Sequence, residues 1–132
     1  VSLIHTVDSI KLIKEINKRA KNEKRVIDCL IQVHIAEEQN KFGFNINEID
    51  DIIKYSEALH NINIIGLMGM ATFTKNIDII NKEFQVLHKQ FKKNKTNNFN
   101  TLSMGMSNDY QVAIQNGSTM IRLGSTIFGK RN

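Results

Sequence analysis

No proline and no tryptophan occur among the 132 residues, and cysteine occurs once. The missing proline goes with an abundance of Asn, Ile and Lys, a bias that fits translation from an AT-rich genome. The Lys- and Asn-rich surface is therefore read as mutational rather than functional. The lone Cys29 lies in the apolar run VIDCLIQVHIA. It has no partner for an internal disulfide, which points to a reducing, cytoplasmic setting and a buried, inert thiol. No apolar run reaches the length of a membrane span, and no signal-peptide pattern opens the chain. The net charge of +5 comes from lysines scattered over KLIKEINKRAKNEKR and HKQFKKNK. They read as solvated helix faces and helix C-terminal turns. No basic stripe with interleaved aromatics is present, which excludes a nucleic-acid groove. The four histidines, His5, His34, His60 and His88, have no metal-ligand spacing.

What is present is alternation. The run 2–8 reads as a strand, and 9–21 as a helix with Ile10, Ile13 and Ile16 on one face. The apolar run 25–36 reads as a strand buried on both sides. After the loop EEQNKFGFN, Asn47 is expected to cap a helix with Ile49, Ile52, Ile53 and Leu59 inward. A strand over 63–72 and a helix over 76–93 follow, the helix carrying Ile80, Phe84, Leu87 and Phe91. A fourth strand spans 100–106. Ser107 is expected to cap a short helix ending at Asn116-Gly117, and 118–124 forms a fifth strand. This βαβαβαβαβ order with short loops predicts an α/β fold with a parallel sheet. The spacing of GLMGMA does not match the dinucleotide fingerprint. Read as part of a (β/α)8 barrel, the five strands would be the fourth to eighth, because barrel phosphate sites form after the last two strands.

The candidate chemistry lies at those strand ends. In SMGMSND, Ser103 and Gly105 are small enough to let a ligand approach the backbone, and Ser107 offers a hydroxyl. Gly124-Ser125-Thr126 repeats the arrangement one strand later, so an anionic phosphate is expected to bridge the two. Arg122, two residues before Gly124, falls on the same side of the pleat. A buried arginine needs an acceptor, either a carboxylate or a ring nitrogen. Facing a pyridine nitrogen, it would keep the ring unprotonated and a poor electron sink.

The run TLSMGMSNDYQVAIQNGSTMIRLGSTIFG closely resembles the closing segment of the YggS/PROSC family of pyridoxal-phosphate homeostasis proteins. GLMGMA, QVHIAEEQNKFGF and HTVDS extend the resemblance over essentially the whole chain. It implies an alanine-racemase-like TIM barrel that binds pyridoxal 5'-phosphate. It also implies that Ser107, Gly124 and Ser125 contact the phosphate and that Arg122 lies by the pyridine nitrogen. Met104 and Met70 would line the pocket walls, with Lys41 and Gly43 on a loop at the barrel mouth. Two departures fall on loops: His34 stands in place of an Asn, and Thr72-Phe73 where a proline is common. No lysine here matches the family's cofactor-holding lysine, which lies in an early strand. Together with Val1 in place of Met, this leads to the expectation of a C-terminal part, residues 1–132, of a longer barrel.

The function implied is intracellular homeostasis of the cofactor by a non-catalytic, monomeric carrier. Its partners would be the cofactor and apo-enzymes that need it. Two other classes stay open. A racemase-like enzyme would need a second domain supplying an opposed tyrosine, and Tyr55 and Tyr110 lie in helical segments. A truncated remnant would neither bind nor fold.

Overall fold

The computed structural model describes residues 3–36, 43–72, 74–106 and 109–122. The elements run β1 (Leu3–Val7), α1 (Ile10–Asn22), β2 (Ile27–Gln32), a 3-10 turn (Ile46–Glu48) and α2 (Ile49–Ser56). They continue with β3 (Ile62–Gly69), α3 (Ile77–Asn94), β4 (Thr101–Met106), α4 (Tyr110–Gln115) and β5 (Met120–Arg122). All neighbouring strands pair in parallel, in the order β1-β2-β3-β4-β5. The α/β parallel-sheet expectation is met. A strand order that never reverses, joined by right-handed crossovers, places every helix on the same face.

The packing shows that single layer. One apolar cluster joins Ile13 and Ile16 of α1, Ile49 and Ile52 of α2, Phe84 and Leu87 of α3, and Val112 of α4. The same cluster takes in Cys29, Ile31, Leu67, Leu102 and Met104 of the sheet. Each fully buried Ile, Leu or Phe in it contributes about 1.5–3 kcal/mol. The helix starts follow from local chemistry. Ser9 Oγ accepts from the Leu12 N–H at 3.1 Å, and Asn76 Oδ1 accepts from the Asp78 N–H at 3.0 Å. α3 buries the expected Ile80, Phe84, Leu87 and Phe91, and Phe91 stacks on Phe99 at 5.8 Å between ring centroids.

Two expected caps are corrected. The chain enters α2 through the 3-10 turn, which Asn45 caps, and the cap position of α2 itself is Glu48, not Asn47. Glu48 Oε1 accepts the Asn45 N–H at 2.9 Å. The acid three residues after Asn47 is Asp50, which α3 occupies instead: Lys93 Nζ, Gln90 Nε2 and Asn94 Nδ2 all donate to it. Likewise α4 begins at Tyr110 with Asp109 in the cap position, not Ser107. α4 closes at Gly117, whose φ of +91° favours glycine. A Cβ there would also stand 2.7 Å from His88 Nε2 of α3. The strands over 25–36 and 63–72 are shorter than expected, pairing only as far as Gln32 and Gly69 apart from a bridge at Val33.

Candidate functional site

Parallel strands place ligands at their carboxyl ends, where loops rather than ladder bonds occupy the backbone. Here that edge is formed by the ends of β2, β3, β4 and β5. Backbone register sets Met106, the last residue of β4, opposite Arg122, the last of β5. Met106 and Arg122 therefore end their strands side by side. Ser107, Gly124, Ser125 and Lys41 themselves lie outside the described residues.

Between Ser103 and Met106 the register of β4 shifts against β5 by one residue. Gly105 in that interval has φ +97°, a conformation that favours glycine and marks a bulge. The start of β5 is tied to β4 by hydroxyls. Thr119 Oγ1 accepts the Leu102 N–H at 2.7 Å, and Ser118 Oγ donates to the Met104 carbonyl at 2.9 Å. The Gly-Ser-Thr run 117–119 thus has a structural task, joining the last two strands.

The two methionines differ in setting. Met104 is 1% exposed and belongs to the cluster beneath the helices. Met70, the first residue after β3, is 39% exposed. Two residues further on, Thr72 donates its N–H to Glu83 Oε1 at 2.7 Å and its hydroxyl to Glu83 Oε2 at 2.6 Å. Glu83 is buried within α3. Sequence reasoning missed it, although a glutamate three residues after Ile80 and four before Leu87 falls on the apolar stripe.

At the end of β2, Gly43 returns the chain against the strand. A Cβ there would lie 2.8 Å from the Gln32 carbonyl, and its φ is +110°. The Phe44 N–H donates to that carbonyl at 2.9 Å, and the His34 N–H donates to Phe44 O at 2.9 Å. His34 is half-buried and lines a cleft of about 500 Å³ with Ile35, Ile46 and Asp78. Cys29 is buried, as expected, and burial, then the Asp28 charge, push its thiol up to about 11. Among the described residues no group of three His, Cys, Asp or Glu side chains could hold a metal ion. No described helix is long and apolar enough to cross a membrane.

One polar atom stands apart. Ser103 Oγ is fully buried and has no hydrogen-bond partner among the described residues. Its neighbours Leu102 and Met104 point into the helix-side cluster, so Ser103 points to the opposite face.

The fold and edge define a singly wound parallel α/β protein with a candidate ligand site at its carboxyl-end edge. Residues 2–132 match the model of the alanine racemase N-terminal domain family, and the chain belongs to that family. A curated relative from Aquifex aeolicus, a pyridoxal phosphate homeostasis protein, is 34% identical over 135 residues. The alignment covers 99% of this chain and 59% of the relative, so the chain spans less than two thirds of that protein's length. Among solved structures, an unknown protein from Bifidobacterium adolescentis superposes with a TM-score of 0.86 at 30% identity. It covers 97% of this chain and 53% of that one. PipY of Synechococcus elongatus without PLP gives a TM-score of 0.85 at 26% identity, covering 97% and 61%. PipY with PLP bound gives 0.77 at 24% identity, a likeness of fold.

Proposed function

We propose that the chain is the pyridoxal 5'-phosphate-binding part of a cytoplasmic protein that carries or buffers the cofactor without turnover of its own. The observation that carries this is the register of Met106 against Arg122. It sets the ends of β4 and β5 side by side, which supports a reading in which the small, donor-rich runs that follow them in sequence share one ligand. Ser107, Gly124 and Ser125 would hold the phosphate through hydroxyl and backbone N–H groups. Arg122 would donate to the pyridine nitrogen. Met70 would form an exposed wall, and Met104 would support the edge from within the packed layer. The bulge at Gly105 near the end of β4 supports the fit. When bound, the cofactor supplies an electrophilic aldehyde and a ring that withdraws electrons, and an arginine at the ring nitrogen restrains the second property.

Residues 1–132 are read as the fourth to eighth strands of a (β/α)8 barrel, with the lysine that holds the cofactor covalently outside this chain. The unreversed strand order supports this, as does the longer length of the relatives. The protein would act as a monomer and pass the cofactor to apo-enzymes. The test is equilibrium dialysis against pyridoxal phosphate, followed by an assay for racemisation of L-alanine. Binding with no D-alanine formed is the expected result. Failure to bind, or turnover of alanine, overturns the reading.

A further inference from the structure

Asparagine is abundant in this chain, yet only Asn116 is followed by glycine. That pair carries a chemistry of its own. The backbone nitrogen after an asparagine can reach the carbonyl carbon of its side chain, and a five-membered imide ring closes when the two meet. Every residue except glycine hinders the approach with its Cβ. In an unfolded chain, Asn116 is therefore the asparagine most open to this reaction.

The fold asks for both members of the pair. Asn116 is the C-cap of α4, and its Nδ2 donates to the Val112 carbonyl at 2.9 Å and to Asn81 Oδ1 of α3 at 2.7 Å. Gly117 has a φ of +91°, and a Cβ on it would stand 2.7 Å from His88 Nε2. A side chain at position 117 would meet both backbone strain and the His88 ring.

The same contacts hold the reaction shut. Ring closure needs the Gly117 nitrogen turned toward the Cβ of Asn116. At the observed ψ of 15° it lies instead almost eclipsed with the nitrogen of Asn116 itself. The Gly117 N–H donates to the Ile114 carbonyl at 3.0 Å, and the Ser118 N–H donates to the Ala113 carbonyl at 3.0 Å. Turning ψ far enough breaks these bonds and opens the last turn of α4.

We propose that Asn116 is a deamidation site that the folded protein keeps closed and that opening of the end of α4 exposes. The Gly117 nitrogen bonds to Cγ of Asn116, the Cγ–Nδ2 bond breaks, and the nitrogen's proton leaves with Nδ2 as ammonia. Water then opens the imide at either carbonyl, leaving aspartate or isoaspartate. Neither carboxylate has a hydrogen to donate to the Val112 carbonyl, and an aspartate there adds negative charge at the negative end of a helix. Isoaspartate also lengthens the backbone just before Ser118 and Thr119, whose hydroxyls tie β5 to β4. The modification is thus one-way, and its product closes less well than the chain that formed it.

The test uses the full-length protein at mildly alkaline pH, once folded and once in guanidinium chloride, with peptide mapping by mass spectrometry over time. Conversion at Asn116 is expected in denaturant and about tenfold or more slower in the folded protein, because a packed helix end opens rarely. Asn116→Asp, made directly, is expected to unfold at a lower denaturant concentration than the wild type. Equal rates in the two states would overturn the protection, and no conversion in denaturant would overturn the site. An Asn116→Asp protein as stable as the wild type would overturn the consequence drawn for the β4–β5 tie.

Discussion

Glu83 of α3 holds Thr72 of the preceding loop through both carboxylate oxygens, at 2.7 Å to its N–H and 2.6 Å to its hydroxyl. The chain has no proline to stiffen that loop, so hydrogen bonds do so. The loop carries Met70 at the carboxyl-end edge. Thr72→Val keeps the shape and the N–H bond but strips one donor from a buried carboxylate. It is expected to cost about 1.5–3 kcal/mol in urea unfolding, while Thr72→Ser stays near the wild type. Equal stability of the valine variant would show the clamp to be dispensable.

Gly66 of β3 pairs with Thr101 of β4. A Cβ built there would lie 1.7 Å from the Thr101 carbonyl oxygen, a backbone atom that cannot swing aside. Gly66→Ala is expected to destabilise by about 3 kcal/mol or more, at the upper end of overpacking costs. A cooperative transition at the wild-type denaturant midpoint would contradict the pairing of these strands.

Cys29 gives a pH dependence of known sign. Burial first, and the Asp28 charge second, raise its folded pKa to about 11 from the usual 9.0. The folded state therefore holds this proton more tightly than the unfolded state. The resulting stability is complete below about pH 9 and is lost as pH rises toward about 11. Cys29→Ala should flatten that part of the stability profile. A thiol reagent at neutral pH should react only after unfolding, and rapid reaction with the native protein would refute the buried setting.

Arg122 and Ser107 carry the proposed contacts to the ring and the phosphate. Arg122→Ala should weaken cofactor binding and shift the absorption of the bound form, because the ring nitrogen loses its donor. Ser107→Ala should cost about 1 kcal/mol of affinity for a lost neutral hydrogen bond. An unchanged spectrum in the first variant would remove the pyridine-nitrogen assignment.

The order and number of elements were legible because apolar period and length separate buried strands from amphipathic helices. The stripe Ile80, Phe84, Leu87, Phe91 is a plain case, and all four are buried. Caps were less legible. Asn45 and Asn47 look alike in sequence, and the choice turned on α3 claiming Asp50, a contact more than forty residues away. The shifts of register in β3 and β4 leave no periodic signal, since one extra residue resets the alternation. Glu83 and Ser103 were both visible as polar residues at core positions. Their significance lay in Glu83 finding partners and Ser103 finding none among the described residues, which only tertiary packing decides.

The central claim, a site for a phosphorylated pyridine at the carboxyl edge of this sheet, is tested most directly by parallel absorption titrations with pyridoxal phosphate and with pyridoxal. Saturable binding of the phosphorylated form and far weaker binding of the dephosphorylated one are expected. Equal affinity for the two, or no binding of either, would contradict it.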